Sequence, residues 1–111
     1  MAEYVYMIKA TRAGFVTEPT AEELDAMNRH FLYLKGLVEQ KKVVLAGPSL
    51  DRAVGIVIYE ADSEEEARRI MENDPTVIEG VMTAEMHQFR VSMLQRDYVP
   101  LRERKAEAPV G

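Results

Sequence analysis

A chain of 111 residues, 47% hydrophobic and 30% charged, suits one compact domain and is short for two. Its net charge of −5 argues against nucleic acid or an anionic membrane as a partner, and the absence of cysteine excludes disulfides, thiolate nucleophiles and thiolate-held metals. No stretch approaches the ~20 apolar residues of a membrane span, and Met1-Ala2-Glu3-Tyr4 carries no basic-then-apolar leader pattern, so a cytoplasmic protein is expected.

Tyr4-Val5-Tyr6-Met7-Ile8 is an aromatic and β-branched run that reads as a first strand covered on both faces. Thr11 to Pro19, with Gly14 and no periodicity, reads as a loop. Thr20 and Glu23 then form a capping-box signature that starts a helix. Its apolar stripe is Leu24, Met27, Phe31, Leu34 and Val38, with Gly36 as a weak point, and at 100° per residue His30 lies about 70° from the centre of that stripe. Lys41-Lys42 close the helix. Val43 to Ala46 form a second strand, stopped by Gly47-Pro48, which reads first as a turn and second as a pocket wall. Asp51 to Ala53 turn the chain into a third strand, Gly55 to Tyr59, placed to pair with the second as a hairpin.

Ser63 and Glu66 give a second capping box, and Ala67, Ile70 and Met71 supply the buried face of a shorter helix that ends before Pro75. Val77, Ile78 and Gly80 indicate a brief helical turn and a stop. Met82 to Met93 reads as a long final strand. The order β-α-β-β-α-β is the ferredoxin-like arrangement, an α+β fold with two helices on one face of a four-stranded antiparallel sheet. Because Ile56 and Ile58 alternate with Val57 and Tyr59, the helix-free face is also apolar, which predicts a homodimer packed sheet to sheet. The domain is placed at 1–93. The tail, 94–111, with Pro100, charged residues from Arg102 to Glu107 and Pro109, is either disordered or packed on a partner subunit.

One carboxylate is out of place. Asp74 is in phase with Ala67, Ile70 and Met71, where burial without a partner is costly and a helix C-terminus repels negative charge. His30 is the candidate partner, because a His–carboxylate pair tunes an imidazole for proton transfer. Asp74 before Pro75 also has the form of an N-cap, with proline at the first helical position of the turn Thr76 to Glu79, and the two roles are compatible. A triad of His30, Asp74 and His87 could in principle hold a metal, but the spacing gives no support, and His87 alternates with Phe89 and Val91 toward the dimer side. No metal and no cofactor are expected. No glycine-rich phosphate loop and no serine elbow are present.

His30, Leu34, Val44-Leu45-Ala46-Gly47-Pro48, Asp74-Pro75 and Gly80, in this order and spacing, resemble the YCII-related (YciI-like) family over Tyr4 to Phe89. The chain departs from the usual pattern at Gln88, where similar chains often carry proline. The resemblance implies a dimeric α/β-barrel arrangement and an active site made from His30 and Asp74, and it extends to dehydrochlorinases and muconolactone isomerases. Two functions follow as expectations. One is a cofactor-independent enzyme in which the His30–Asp74 pair performs general acid–base chemistry, isomerisation or elimination, on a small cyclic or aromatic substrate, with Gly47 and Pro48 at the substrate. The other is a non-catalytic small-molecule-binding or interaction module with a purely structural pair.

Overall fold

In the computed structural model of the protein, which describes residues 1–105, four strands form one antiparallel sheet in the order β2-β3-β1-β4. The strands are β1 (Ala2–Ala10), β2 (Val43–Pro48), β3 (Gly55–Ala61) and β4 (Met82–Phe89). The helices are α1 (Ala21–Glu39), α2 (Glu64–Glu72) and the one-turn α3 (Pro75–Ile78). This is the expected ferredoxin-like α+β fold. Glu107 and Pro109, part of the expected charged tail, lie outside the described residues.

Because β1 is hydrogen-bonded on both sides, to β3 and β4, it is longer than its apolar run suggested. Tyr4, Tyr6 and Ile8 face the helices and are buried with Val57, Tyr59 and Ala61 of β3 and Met82 of β4. Tyr6 meets Tyr59 edge to face, with ring centroids 5.4 Å apart at 82°, a favoured arrangement of the two ring quadrupoles. Val5, Met7, Ile56 and Ile58 pair on the opposite face, which no helix covers.

Three strand and cap boundaries differ from the sequence reading. Gly47-Pro48 does not stop β2 but belongs to it, opposite Ile56 and Gly55, and proline is tolerated there because β2 is an edge strand. The reversal falls instead at Ser49–Arg52, where Ser49 and Asp51 side chains accept backbone amides. β4 ends at Phe89, not Met93, because Phe89 pairs with Glu3 and β1 runs out of residues to pair. The next free amide, of Val91, donates to the Glu3 side chain instead. At Ser63 only half of the second capping box forms, since the Glu66 carboxylate reaches the Asp62 amide and Lys42.

The capping box of α1 forms in full, and a bidentate Arg12 clamp on Glu23 adds to it, holding that carboxyl down at about pKa 2. The expected loop therefore carries an anchored 3-10 turn, Ala13–Phe15, with Phe15 in the core. The buried face of α1 comprises Glu23, Ala26, Leu34 and Leu37, with the half-buried His30 between them and Met27 and Tyr33 at its edges. It is rotated by roughly 70–80° from the predicted stripe, so Leu24, Phe31 and Val38 are exposed. The rotation brings His30 from the edge of the apolar stripe to the middle of the buried arc.

The rotated face has a direct check. Leu37→Ala should cost about 2–4 kcal/mol and its neighbour Val38→Ala less than about 1 kcal/mol. Urea unfolding of both variants measures this, and equal losses would refute the orientation of α1.

Candidate active site

Three elements converge on Asp74. The chain leaves α2 at Asn73, and Asp74 in extended backbone caps α3, accepting from the Thr76 amide at 3.0 Å with Pro75 at the first helical position. The residue is therefore outside the helix whose phase it shares, and the N-cap reading and the His30 reading both hold. The side chain is completely buried, as are Thr76 and Tyr6. From α1, His30 Nδ1 approaches Asp74 Oδ2 at 2.7 Å and Oδ1 at 2.8 Å. From β1, the Tyr6 hydroxyl donates to Oδ2 at 2.7 Å, and the Thr76 hydroxyl donates to Oδ1 at 2.7 Å. The acceptor sites of the carboxylate are thus filled.

The protonation pattern follows from these contacts. Burial alone would raise the Asp74 carboxyl, but the hydrogen bond and charge of His30, with the bonds from Tyr6 and Thr76, outweigh it and hold the group below its ordinary range. An ionised carboxylate only accepts, so the proton between the two side chains belongs to Nδ1 of His30. In the neutral ring Nε2 then carries a free lone pair. No described residue bonds to Nε2, and no buried side-chain nitrogen or oxygen lacks a partner among the described residues, so Nε2 reaches the surface. The His30 side chain keeps 13% of its exposure, whereas Asp74 keeps none. The imidazole is held at one nitrogen and open at the other, the geometry a proton-transfer group requires.

Gly47 and Pro48 lie exposed on the edge strand β2 and share no hydrogen bond with the pair. His87 pairs across from Val5 on the helix-free face and contacts Glu85 at 3.0 Å, so His30, Asp74 and His87 do not form a cluster. Among the described residues no group of three His, Asp or Glu side chains could hold a metal ion. Concavities of about 540 and 370 Å³ lie along the tail, between Gln95 and Lys105, and on α2, between Glu64 and Glu72, and His30 lines neither. Tyr6 and Thr76 were not singled out for the site from sequence. Thr76 was legible in principle, as the second residue after an N-cap aspartate. Tyr6 was not, since its partner is 68 residues away. No described helix is long and apolar enough to cross a membrane.

The YCII-related domain matches residues 2–89. No curated protein matches the chain. Among solved structures, 5-chloro-2-hydroxyhydroquinone dehydrochlorinase (TftG) from Burkholderia phenoliruptrix AC1100, in complex with 2,5-dihydroxybenzoquinone, is similar at 23% identity. The similarity covers 78% of this chain and 93% of that one, with a TM-score of 0.61, and it establishes a shared fold.

The depressed Asp74 carboxyl carries a signed prediction. A carboxylate held below its unfolded value adds stability that is complete above the unfolded pKa and is lost as pH falls through the folded one. Asp74→Asn should cost about 1–3 kcal/mol at pH 7, and this gap should close as the wild type is acidified below about pH 4. Urea unfolding at several pH values tests it, and a gap constant with pH would show that Asp74 is not ionised.

Proposed function

The chain belongs to the YCII-related domain family, and from that premise we propose that it is a small enzyme, working without a cofactor, that moves a proton on a small cyclic or aromatic substrate. His30 is the general base and acid and Asp74 its electrostatic partner. The observation that supports this reading is the open Nε2 edge. Nδ1 is held by Asp74 while the Nε2 edge has no protein partner among the described residues and reaches the surface, as a group that exchanges protons with a substrate must, whereas a sealed ring would have favoured a binding module instead.

The chemistry follows from the protonation pattern. Nε2 accepts a proton from substrate, and the imidazolium that forms is stabilised by the Asp74 carboxylate at Nδ1. In an isomerisation the same proton returns to a different substrate atom. In an elimination Nε2 first carries a hydroxyl proton to the carbon that bears the leaving group, as in ketonisation of a chlorinated hydroxyhydroquinone; chloride then departs with the C–Cl bonding pair while Nε2 takes a second hydroxyl proton, leaving a hydroxyquinone. The dehydrochlorinase of similar fold motivates this substrate class. His30→Gln should abolish turnover, and Asp74→Asn should lower it by about 10²–10⁴-fold with the fold retained. Chloride release and ultraviolet spectra with 5-chloro-2-hydroxyhydroquinone, beside a panel of unsaturated lactones, provide the assay. Unchanged turnover in His30→Gln would remove the pair from the mechanism.

We also propose that the protein is a homodimer joined through the helix-free sheet face, with residues 94–105 laid over the partner. Val5, Met7, Ile56 and Ile58 form a contiguous apolar centre there, and Leu94, Val99 and Leu101 of the tail are exposed on a single copy. Light scattering should give twice the chain mass, falling to one chain mass in Ile58→Glu. A wild-type monomer at micromolar concentration would overturn the proposal.

A further inference from the structure

Asp74 has more donors than either of its evident tasks needs. Capping α3 uses Oδ1, which receives the Thr76 amide and hydroxyl, and pairing with His30 needs one oxygen facing Nδ1. The Tyr6 hydroxyl on Oδ2 at 2.7 Å serves neither task directly. Rotation about the last bond of an aspartate is soft, so bonds to Oδ1 alone restrain the carboxylate from one side. Tyr6 supplies the restraint on the other side, and it comes from the most constrained part of the fold. Its strand is bonded on both edges, its ring is fully buried, and the edge contact with Tyr59 fixes the ring plane.

We propose that Tyr6 is a positioning residue for His30, whose hydroxyl fixes the Asp74 carboxylate so that Nδ1 is held and Nε2 stays directed out of the protein. The inference rests on the reading of His30 as the proton-transfer group and deepens it. Tyr6 is sealed from solvent, so it touches no substrate and acts only through Asp74. Its phenol remains a donor at any working pH, since burial and then the Asp74 charge push its ionisation far above the ordinary range. The titratable groups facing Asp74 are His30 and Tyr33 from α1 and Tyr6 from β1, and the Tyr33 hydroxyl is itself occupied by the Ile70 carbonyl at 2.7 Å.

Tyr6→Phe removes the O–H and keeps the ring, so the packing with Tyr59 survives. In ¹⁵N-labelled wild type the His30 Nδ1 proton should appear as a low-field, slowly exchanging resonance. In Tyr6→Phe, with circular dichroism unchanged, that proton should move upfield and exchange at least about tenfold faster, and the Asp74 carboxyl carbon should titrate at higher pH. A Nδ1 proton and an Asp74 titration identical to wild type would overturn the proposal and leave Tyr6 as a core residue. If Tyr6→Phe does not fold, the wild type decides. Two protons hydrogen-bonded to Asp74 Oδ2 lie close together, so the Tyr6 hydroxyl and His30 Nδ1 protons should show a cross-peak, and its absence overturns the proposal. The His30→Gln turnover test is separate: unchanged turnover there defeats the catalytic reading, whereas a silent Tyr6→Phe defeats only the role of Tyr6.

Discussion

The buried carboxylate of Asp74 is the constraint around which the helical layer is arranged. Taking an unpaired charge out of water costs several kcal/mol, so the position tolerates a carboxylate only when donors fill its oxygens. The donors come from β1, α1 and α3, three segments far apart in sequence, and each must be in register for the network to close. Tyr6 requires the inward parity of β1, and His30 requires the rotation of α1. Thr76 requires that the chain break helix at Asp74 and restart at Pro75. The Arg29 link to Glu79 lies at the other end of α3, but it is exposed and contributes little.

The rotation of α1 shows where sequence periodicity stops being informative. Leu24, Phe31 and Val38 form a regular apolar stripe, yet they are exposed, while Glu23 is buried and His30 is central. Arg12 clamps Glu23 and Asp74 binds His30, so both polar side chains sit on the buried face with their facing groups paired, beside Ala26, Leu34 and Leu37, which supply its apolar contacts in place of Leu24, Phe31 and Val38. A pattern analysis sees only the transfer preference of each residue. It cannot see a partner 44 residues away.

What was legible follows the same division. The succession of elements along the chain, the capping box at Thr20 and the proline-led turn after Asp74 rest on local features, residue periodicity for the first and donor satisfaction or backbone restriction for the others. The pairing of His30 with Asp74 was legible because a lone carboxylate among apolar residues asks for a cation or donor, and the chain has only two histidines. The ends of β2 and β4 were not legible, since they depend on which neighbour each strand finds. Pro48 is accepted only because β2 has one open edge, and β4 stops only because β1 begins at Ala2. Tyr6 read as a core aromatic, and it is one; its hydroxyl gains a purpose only when the fold brings Asp74 above it.

The saturated coordination of Asp74 also limits the chemistry available. A carboxylate that already accepts from Tyr6, Thr76 and His30 gains nothing by taking the Nδ1 proton, because protonation would break at least one charge-assisted bond in a site closed to water. The proton therefore stays on the imidazole, and only Nε2 exchanges protons with the outside. The geometry of one carboxylate thus fixes which nitrogen a transferred proton must use.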